Sequence, residues 1–178
     1  MGAEKNRYVP HYKIETLLIA GDVLYMPLRC GFFMQNLGTT HRLDIQQHDD
    51  LFIPAGKGKT AFIDARDIAA VAVKVFTEPD HEGKACSLNG SEALDYYEVA
   101  EILSEVLGRK ITYSHPSSPR FAWRMWRRGQ PLGFIGVTTG IYLTTRFGMA
   151  EIITPDSGDL LGRAPITLRQ YTSDFADL

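Results

Sequence analysis

Residues 88–111 read LNGSEALDYYEVAEILSEVLGRKI. Asp95 and Glu98 stand at capping-box spacing, where each side chain satisfies a backbone N–H at the start of a helix. Val99, Ile102, Leu103, Val106 and Leu107 then fall at i, i+3, i+4, i+7 and i+8, the apolar stripe of a helix lying on a core. Gly108 follows as the natural stop. Short apolar runs at 85–88 and 111–113 flank this helix and read as strands. Strand, helix, strand is the alternation of an α/β fold.

The same alternation continues upstream. Asp64 and Asp67 repeat the capping spacing before a helix with Ile68, Ala72, Val75 and Phe76 on one face, ended by Pro79. Residues 51–54 and 61–63 read as short strands around a Gly/Lys loop. Residues 31–37 form an aromatic turn, and 23–28 an apolar strand weakened by Pro27. Residues 11–20 read as a helix between Pro10 and Gly21, and 38–50 as polar and irregular. Downstream, 119–128 and 132–147 read as helices, followed by a short helix after Pro155 and a last one from about Leu168. There is no internal repeat.

The 178 residues carry 44% hydrophobic and 22% charged side chains, ordinary for one globular unit. A net charge of -2 argues against a global attraction for nucleic acid. Cys30 and Cys86 form no CxxC pair and no disulfide framework, which suits a reducing, cytoplasmic setting. No opening segment resembles a signal peptide, and the longest apolar stretch, 132–145, is broken by Gly136, Thr138, Thr139 and Gly140. No membrane span is expected.

Three stretches carry a family resemblance: LRCGFFMQNL (28–37), FIDARDIAAVA (62–72) and the 88–111 segment. In this order and spacing they resemble the back half of an NmrA-like protein, an atypical branch of the short-chain dehydrogenase/reductase superfamily. The opening MGAEKNRYVPHYKIE resembles a segment from the middle of such a domain. The resemblance implies a partial Rossmann-like parallel sheet lacking its N-terminal strands, with a helical C-terminal substrate lobe. Residues 1–110 would be the remnant of the NAD(P)-binding domain and 111–178 the lobe. It further implies that Gly31, Phe32, Phe33 and Asn36 line the nicotinamide end of the cofactor cleft, with His11 and Lys13 nearby. Relatives usually carry Thr near Met26 and Pro at Cys30, and this chain departs from both.

The residues themselves offer no phosphate cradle. Gly129, Gly133, Gly136 and Gly140 do not sit at a strand-to-helix turn, so they read as packing positions. AGKGKT (55–60) lacks the first Walker glycine, since Ile53 stands there, and it precedes a strand. No tyrosine is followed four residues on by lysine, the pair that sets up proton transfer in catalytic short-chain dehydrogenases. His41, His48, Asp49 and Asp50 lack metal-ligand spacing, so no metal site is expected. RFAWRMWRR (120–128) places Arg120, Arg124, Arg127 and Arg128 on one helical face between aromatics. Phe121 and Trp123 are its candidate substrate contacts. The face could hold an anion or bases, although as an ordinary amphipathic helix its aromatics would pack inside and its arginines would face water.

The sequence therefore favours a small-molecule-binding or vestigial, non-catalytic protein that binds no cofactor itself. The first alternative is an NAD(P)-dependent oxidoreductase or redox sensor whose N-terminal half is absent from this chain, NAD(P) being the cofactor of complete relatives. The second is an anion- or nucleic-acid-binding module using the 120–128 face, though nucleic acid is the weaker reading. An open sheet edge predicts a homodimer, with residues 121–126 forming part of its surface.

Overall fold

The computed structural model describes residues 10–21 and 24–175. The opening residues 1–9 and Val23, read above, lie outside them. Asp95 caps α4 (Tyr96–Leu107) through a complete capping box: its Oδ1 accepts the N–H groups of Tyr97 and Glu98, and Glu98 Oε2 accepts the Asp95 N–H at 2.8 Å. Gly108 ends the helix at φ 64°. Asp64 caps α3 (Ala65–Thr77) by accepting the Arg66 N–H at 2.8 Å. Asp67, however, closes no capping box. Its buried carboxylate accepts the Arg163 guanidinium at 2.6 Å and the Ile166 N–H at 2.7 Å, and so ties the C-terminal tail to α3. Phe76, expected on the apolar face of α3, is 88% exposed, and Val71 is the buried residue there. The inward stripe is centred on Val71, one helical turn from both Ile68 and Val75.

The strands are short and mostly parallel. β1 (Leu28–Cys30) runs parallel to β5 (Cys86–Leu88), with Leu28 opposite Cys86. β2 (Phe32–Phe33) runs parallel to β4 (Thr60–Ile63), with Phe32 opposite Phe62. β6 (Ala93–Leu94) adds antiparallel to β4, and β3 (Asp50–Leu51) pairs in parallel with β7 (Thr112–Tyr113). The strand expected over 23–28 starts only at Leu28. Pro27 has no N–H, so the chain meets the sheet there through its carbonyl alone, which accepts the Cys86 N–H at 3.1 Å. The strand expected over 51–54 is confined to Asp50–Leu51. The segment expected to be irregular holds α2 (Arg42–His48), whose only buried residues are Asp44 and Ile45. One of its two inward positions is a carboxylate, so no apolar period marks it in the sequence.

α1 (Pro10–Ala20) precedes the sheet. After β7 come α5 (Ser118–Arg127), α6 (Leu132–Arg146), α7 (Asp156–Leu161) and α8 (Leu168–Asp174). α5 packs on α6, α7 on α3 and β5, and α8 on α4. The main core joins both parts of the chain: Phe62 and Tyr96 from the first part are buried with Tyr113, Phe121, Tyr142 and Leu168 from the second, while Val71, Cys86 and Leu88 form a smaller cluster under α3. The Gly/Lys loop is fixed by this packing. A Cβ on Gly58 would lie 2.1 Å from the Thr145 carbonyl oxygen, so the loop seats directly on α6 and only glycine fits.

A buried polar cluster locks α2 to the helical part. Asp44 accepts one bond from Arg124 at 3.0 Å and two from Arg128 at 2.7 Å, and the Arg124 guanidinium lies 3.2 Å from the centre of the Phe52 ring. Burial opposes ionisation of Asp44, but the Arg128 hydrogen bonds and the charges of both arginines outweigh it and hold the carboxyl below its ordinary range. His41, 1% exposed, is hydrogen-bonded to the Tyr142 hydroxyl. Burial is the largest influence on His41 and lowers its pKa to about 4.

Three outcomes test this account. Asp95→Ala should lower stability by about 1 kcal/mol. Asp64→Ala should cost about 2 kcal/mol, because it also removes the bonds that Gln35 and Arg66 donate to this buried carboxylate. Urea midpoints measure both. The neutral His41 of the folded chain sits below the ~6.5 of an unfolded histidine. As pH falls below 6.5 the unfolded chain takes up a proton that the folded chain refuses. Stability should therefore decline from pH 6.5 towards 4, by roughly 3 kcal/mol in all. His41→Gln should flatten that decline between pH 6.5 and 5, above the range where the carboxylates titrate.

Candidate functional site: a cleft at the strand ends

A cleft of about 490 Å³ lies along β1 and past the carboxyl ends of β1 and β5. Open α/β sheets bind ligands at this end, where the strand termini leave a crevice. Gly31 follows β1 and Asn89 follows β5, and both line the cleft. The Gly31 N–H donates to the Leu88 carbonyl at 2.7 Å, and a Cβ there would stand 3.0 Å from the Ala61 carbonyl oxygen, so a side chain at this floor position would be a tight fit against backbone.

Strand alternation decides which phenylalanine reaches the cleft. Phe33 lines it and is 39% exposed. Phe32 points the other way, edge-on to Phe62 with centroids 5.6 Å apart, and is packed against the core. On the opposite wall, Arg29 of β1 grips Glu15 of α1 through two bonds of 3.1 and 2.7 Å. The Arg29 hydrogen bonds hold the Glu15 carboxyl below its usual range. This pair joins α1 to the sheet and leaves its charges mutually neutralised. His11, one turn before Glu15, also lines the cleft.

The remaining wall is a strap, residues 149–154, without regular structure. It is pinned at three points. The Ala61 N–H donates to the Ala150 carbonyl at 2.9 Å, the Thr154 N–H donates to Asn89 Oδ1 at 3.0 Å, and the Thr154 hydroxyl donates to the Ser87 carbonyl at 2.9 Å. Met149 and Ile152 of the strap give the cleft an apolar side. Burial raises the pKa of the Cys30 thiol, and likewise pushes Cys86 up to about 11, so both are protonated near neutrality. Among the described residues no cluster of His, Cys, Asp and Glu is close enough to hold a metal.

Of the candidate residues, the structure brings His11, Gly31 and Phe33 together in the cleft. Lys13 is exposed on α1 outside its lining, and Asn36 lies away from it, its carbonyl accepting the His41 N–H. Phe121 is 1% exposed and sits edge-on to Tyr142 in the core, so it presents no surface to a ligand. Trp123 is exposed on α5, also outside the cleft. The four-arginine face is divided: Arg124 and Arg128 are held by Asp44, while Arg120 and Arg127 remain exposed. The interleaved aromatics divide as well, Phe121 inward and both tryptophans outward. Asn89, the Arg29–Glu15 pair and the strap were missed. The strap comes from some sixty residues beyond β5, and a lone asparagine after a strand carries no signal of its own.

No protein-family model matches the chain. It is 47% identical over 83 residues to the NAD(P)H azoreductase of Xenophilus azovorans, covering 47% of this chain and 29% of that one. It is 32% identical over 167 residues to the agroclavine dehydrogenase of Claviceps fusiformis, covering 92% of this chain and 57% of that one. The structure of the NADPH-dependent quinone oxidoreductase of Escherichia coli complexed with NADPH superposes with a TM-score of 0.85 at 27% identity, over 92% of this chain and 58% of the other. NmrA in complex with NADP shares the fold, with a TM-score of 0.71 over 94% of this chain and 57% of the other, at 14% identity. The chain thus spans about half the length, or less, of the relatives it matches. Three stretches in order, a parallel α/β sheet with a helical part behind it, and this likeness in sequence and structure agree: the chain is similar to NAD(P)H-dependent oxidoreductases over about half their length and shares the fold of the NmrA-like, atypical short-chain dehydrogenases/reductases.

Proposed function

We propose that the chain supplies the substrate- and nicotinamide-facing part of an NAD(P)H-dependent reductase acting on small, planar, aromatic acceptors. The carrying observation is the strand-end cleft, in which Phe33 offers an aromatic platform between the apolar Met149 and Ile152 of the strap and a neutralised ion pair. Oxidoreductase names among the relatives, an azoreductase, a quinone oxidoreductase and an agroclavine dehydrogenase, favour this reading over a non-catalytic one. The volume lies within the ~300–1,000 Å³ usual for small-ligand sites.

The residues fit one end of the cofactor. A nicotinamide ring can lie on Phe33 above the open Gly31 floor and, when bound, would supply a hydride. The pyrophosphate calls for N–H donors at a glycine-rich helix start, and the described residues contain no such turn. His11 is placed to hydrogen-bond a carbonyl or nitrogen of the acceptor. Asn89 holds the strap in place, and Met149 and Ile152 shield the acceptor from water.

If this division holds, reduced nicotinamide mononucleotide should bind nearly as well as NADPH, since the adenosine half gains nothing from these residues. Phe33→Ala should weaken the binding of both nicotinamide and a quinone by about 2- to 10-fold, the worth of one aromatic contact, with little change in melting temperature. Calorimetry reads both, and oxidation of NADPH in the presence of a quinone reads the activity. No heat with either nicotinamide compound, together with no oxidation, would reject the proposal.

A further inference from the structure

Residues 111–150 contain five arginines and no aspartate or glutamate, whereas the rest of the chain carries fourteen basic against twenty-one acidic side chains. The positive charge is thus gathered on the α5–α6 hairpin. Two of those arginines are spent on Asp44, and Arg120, Arg127 and Arg146 remain exposed. The same hairpin exposes apolar surface. α5 buries Phe121 and Met125 and turns outward both of the protein's tryptophans, Trp123 at 58% and Trp126 at 59%. α6 buries Ile135, Tyr142 and Thr145, and exposes Leu132, Val137 and Ile141. No charged side chain occurs between Arg128 and Arg146. Phe147, 73% exposed, continues the patch to the strap.

We infer that this hairpin face docks on an anionic phospholipid surface. Exposed tryptophans beside arginines, with an uncharged apolar helix between them, match the layering of a bilayer interface: anionic headgroups meet the guanidinium groups while the indoles and aliphatic chains sit at the acyl boundary. The Arg127 guanidinium, 5.3 Å from the Trp123 ring centre, keeps the two features together. α6, at fifteen residues, is shorter than the ~20 a spanning helix needs, so it lies in the plane of the surface. Charge argues against the expected second copy on this face, since two such hairpins would bring like charges together. A nucleic acid would leave Leu132, Val137 and Ile141 against phosphate. This inference stands apart from the reductase reading, although the patch runs into the strap and would open the cleft beside a membrane.

Because Trp123 and Trp126 are the only tryptophans, intrinsic fluorescence reports on this face directly. The full chain is mixed with vesicles of phosphatidylcholine alone, and of phosphatidylcholine with phosphatidylglycerol. A blue shift of the emission and quenching by brominated acyl chains are expected with the anionic vesicles only, and salt should reverse both. In sedimentation, Arg120→Ala and Arg127→Ala should each weaken partition about fivefold, and a Trp123→Ala/Trp126→Ala variant should lose it. All four side chains are exposed, and circular dichroism confirms that the variants fold. Emission unchanged by either vesicle, an equal response to both, or a stable dimer in light scattering whose tryptophans are already shielded from acrylamide would each overturn the inference.

Discussion

The carboxylate of Asp44 is taken out of water, and an isolated buried charge costs several kcal/mol unless it is paired and hydrogen-bonded. Its two partners, Arg124 of α5 and Arg128 at that helix's C-cap, lie one turn apart, eighty and eighty-four residues along the chain. Satisfying Asp44 therefore fixes the position of α5 against α2, and with it the seat of Phe121 and Met125 in the core. α6 follows by packing on α5, and Tyr142 meets His41 next to the same cluster. The short sheet and the helical part behave as one packed unit because this charge can be satisfied in one arrangement only.

From that arrangement the cleft follows. Placing α6 also places the strap that leaves its C-terminal end, and the strap is then held to β4, β5 and Asn89 by hydrogen bonds. The opposite wall, α1, is attached through Arg29 and Glu15. The cleft is a junction of four segments rather than the property of one motif. Its chemistry is correspondingly plain: one aromatic platform, the apolar Met149 and Ile152 of the strap, a neutralised ion pair, a histidine and an asparagine. Such a lining selects by shape and apolar contact more than by charge.

The arginine-rich segment shows how tertiary contacts divide a face that looks uniform in sequence. On a helical wheel its arginines form one stripe, yet two neutralise a buried carboxylate and two stay in water. The aromatics between them divide in the same manner. What reaches solvent is a mixed surface of tryptophan and arginine beside an uncharged helix, and its composition follows from the core's demand for Asp44's partners and for Phe121.

The sequence by itself determined the elements whose signals are local. The capped helices at Asp64 and Asp95, the stop at Gly108, the α/β alternation and the three family stretches all depend on residues within a turn or two of one another, so periodicity and capping chemistry suffice to read them. Through the family resemblance it also singled out Gly31, Phe33 and His11, which line the cleft in the folded chain. The tertiary structure alone decided the rest. Asp67 could serve a capping box or a tail nearly a hundred residues later, and the Arg163 and Ile166 contacts won. α2 carried no apolar period because one of its inward positions is the carboxylate that anchors α5. Phe32 and Phe121 were drawn inward and the tryptophans left outside by strand alternation and helix rotation, which depend on what lies opposite. Contacts between residues far apart in the chain have no spacing to reveal them, and here they settled which side chains face a ligand.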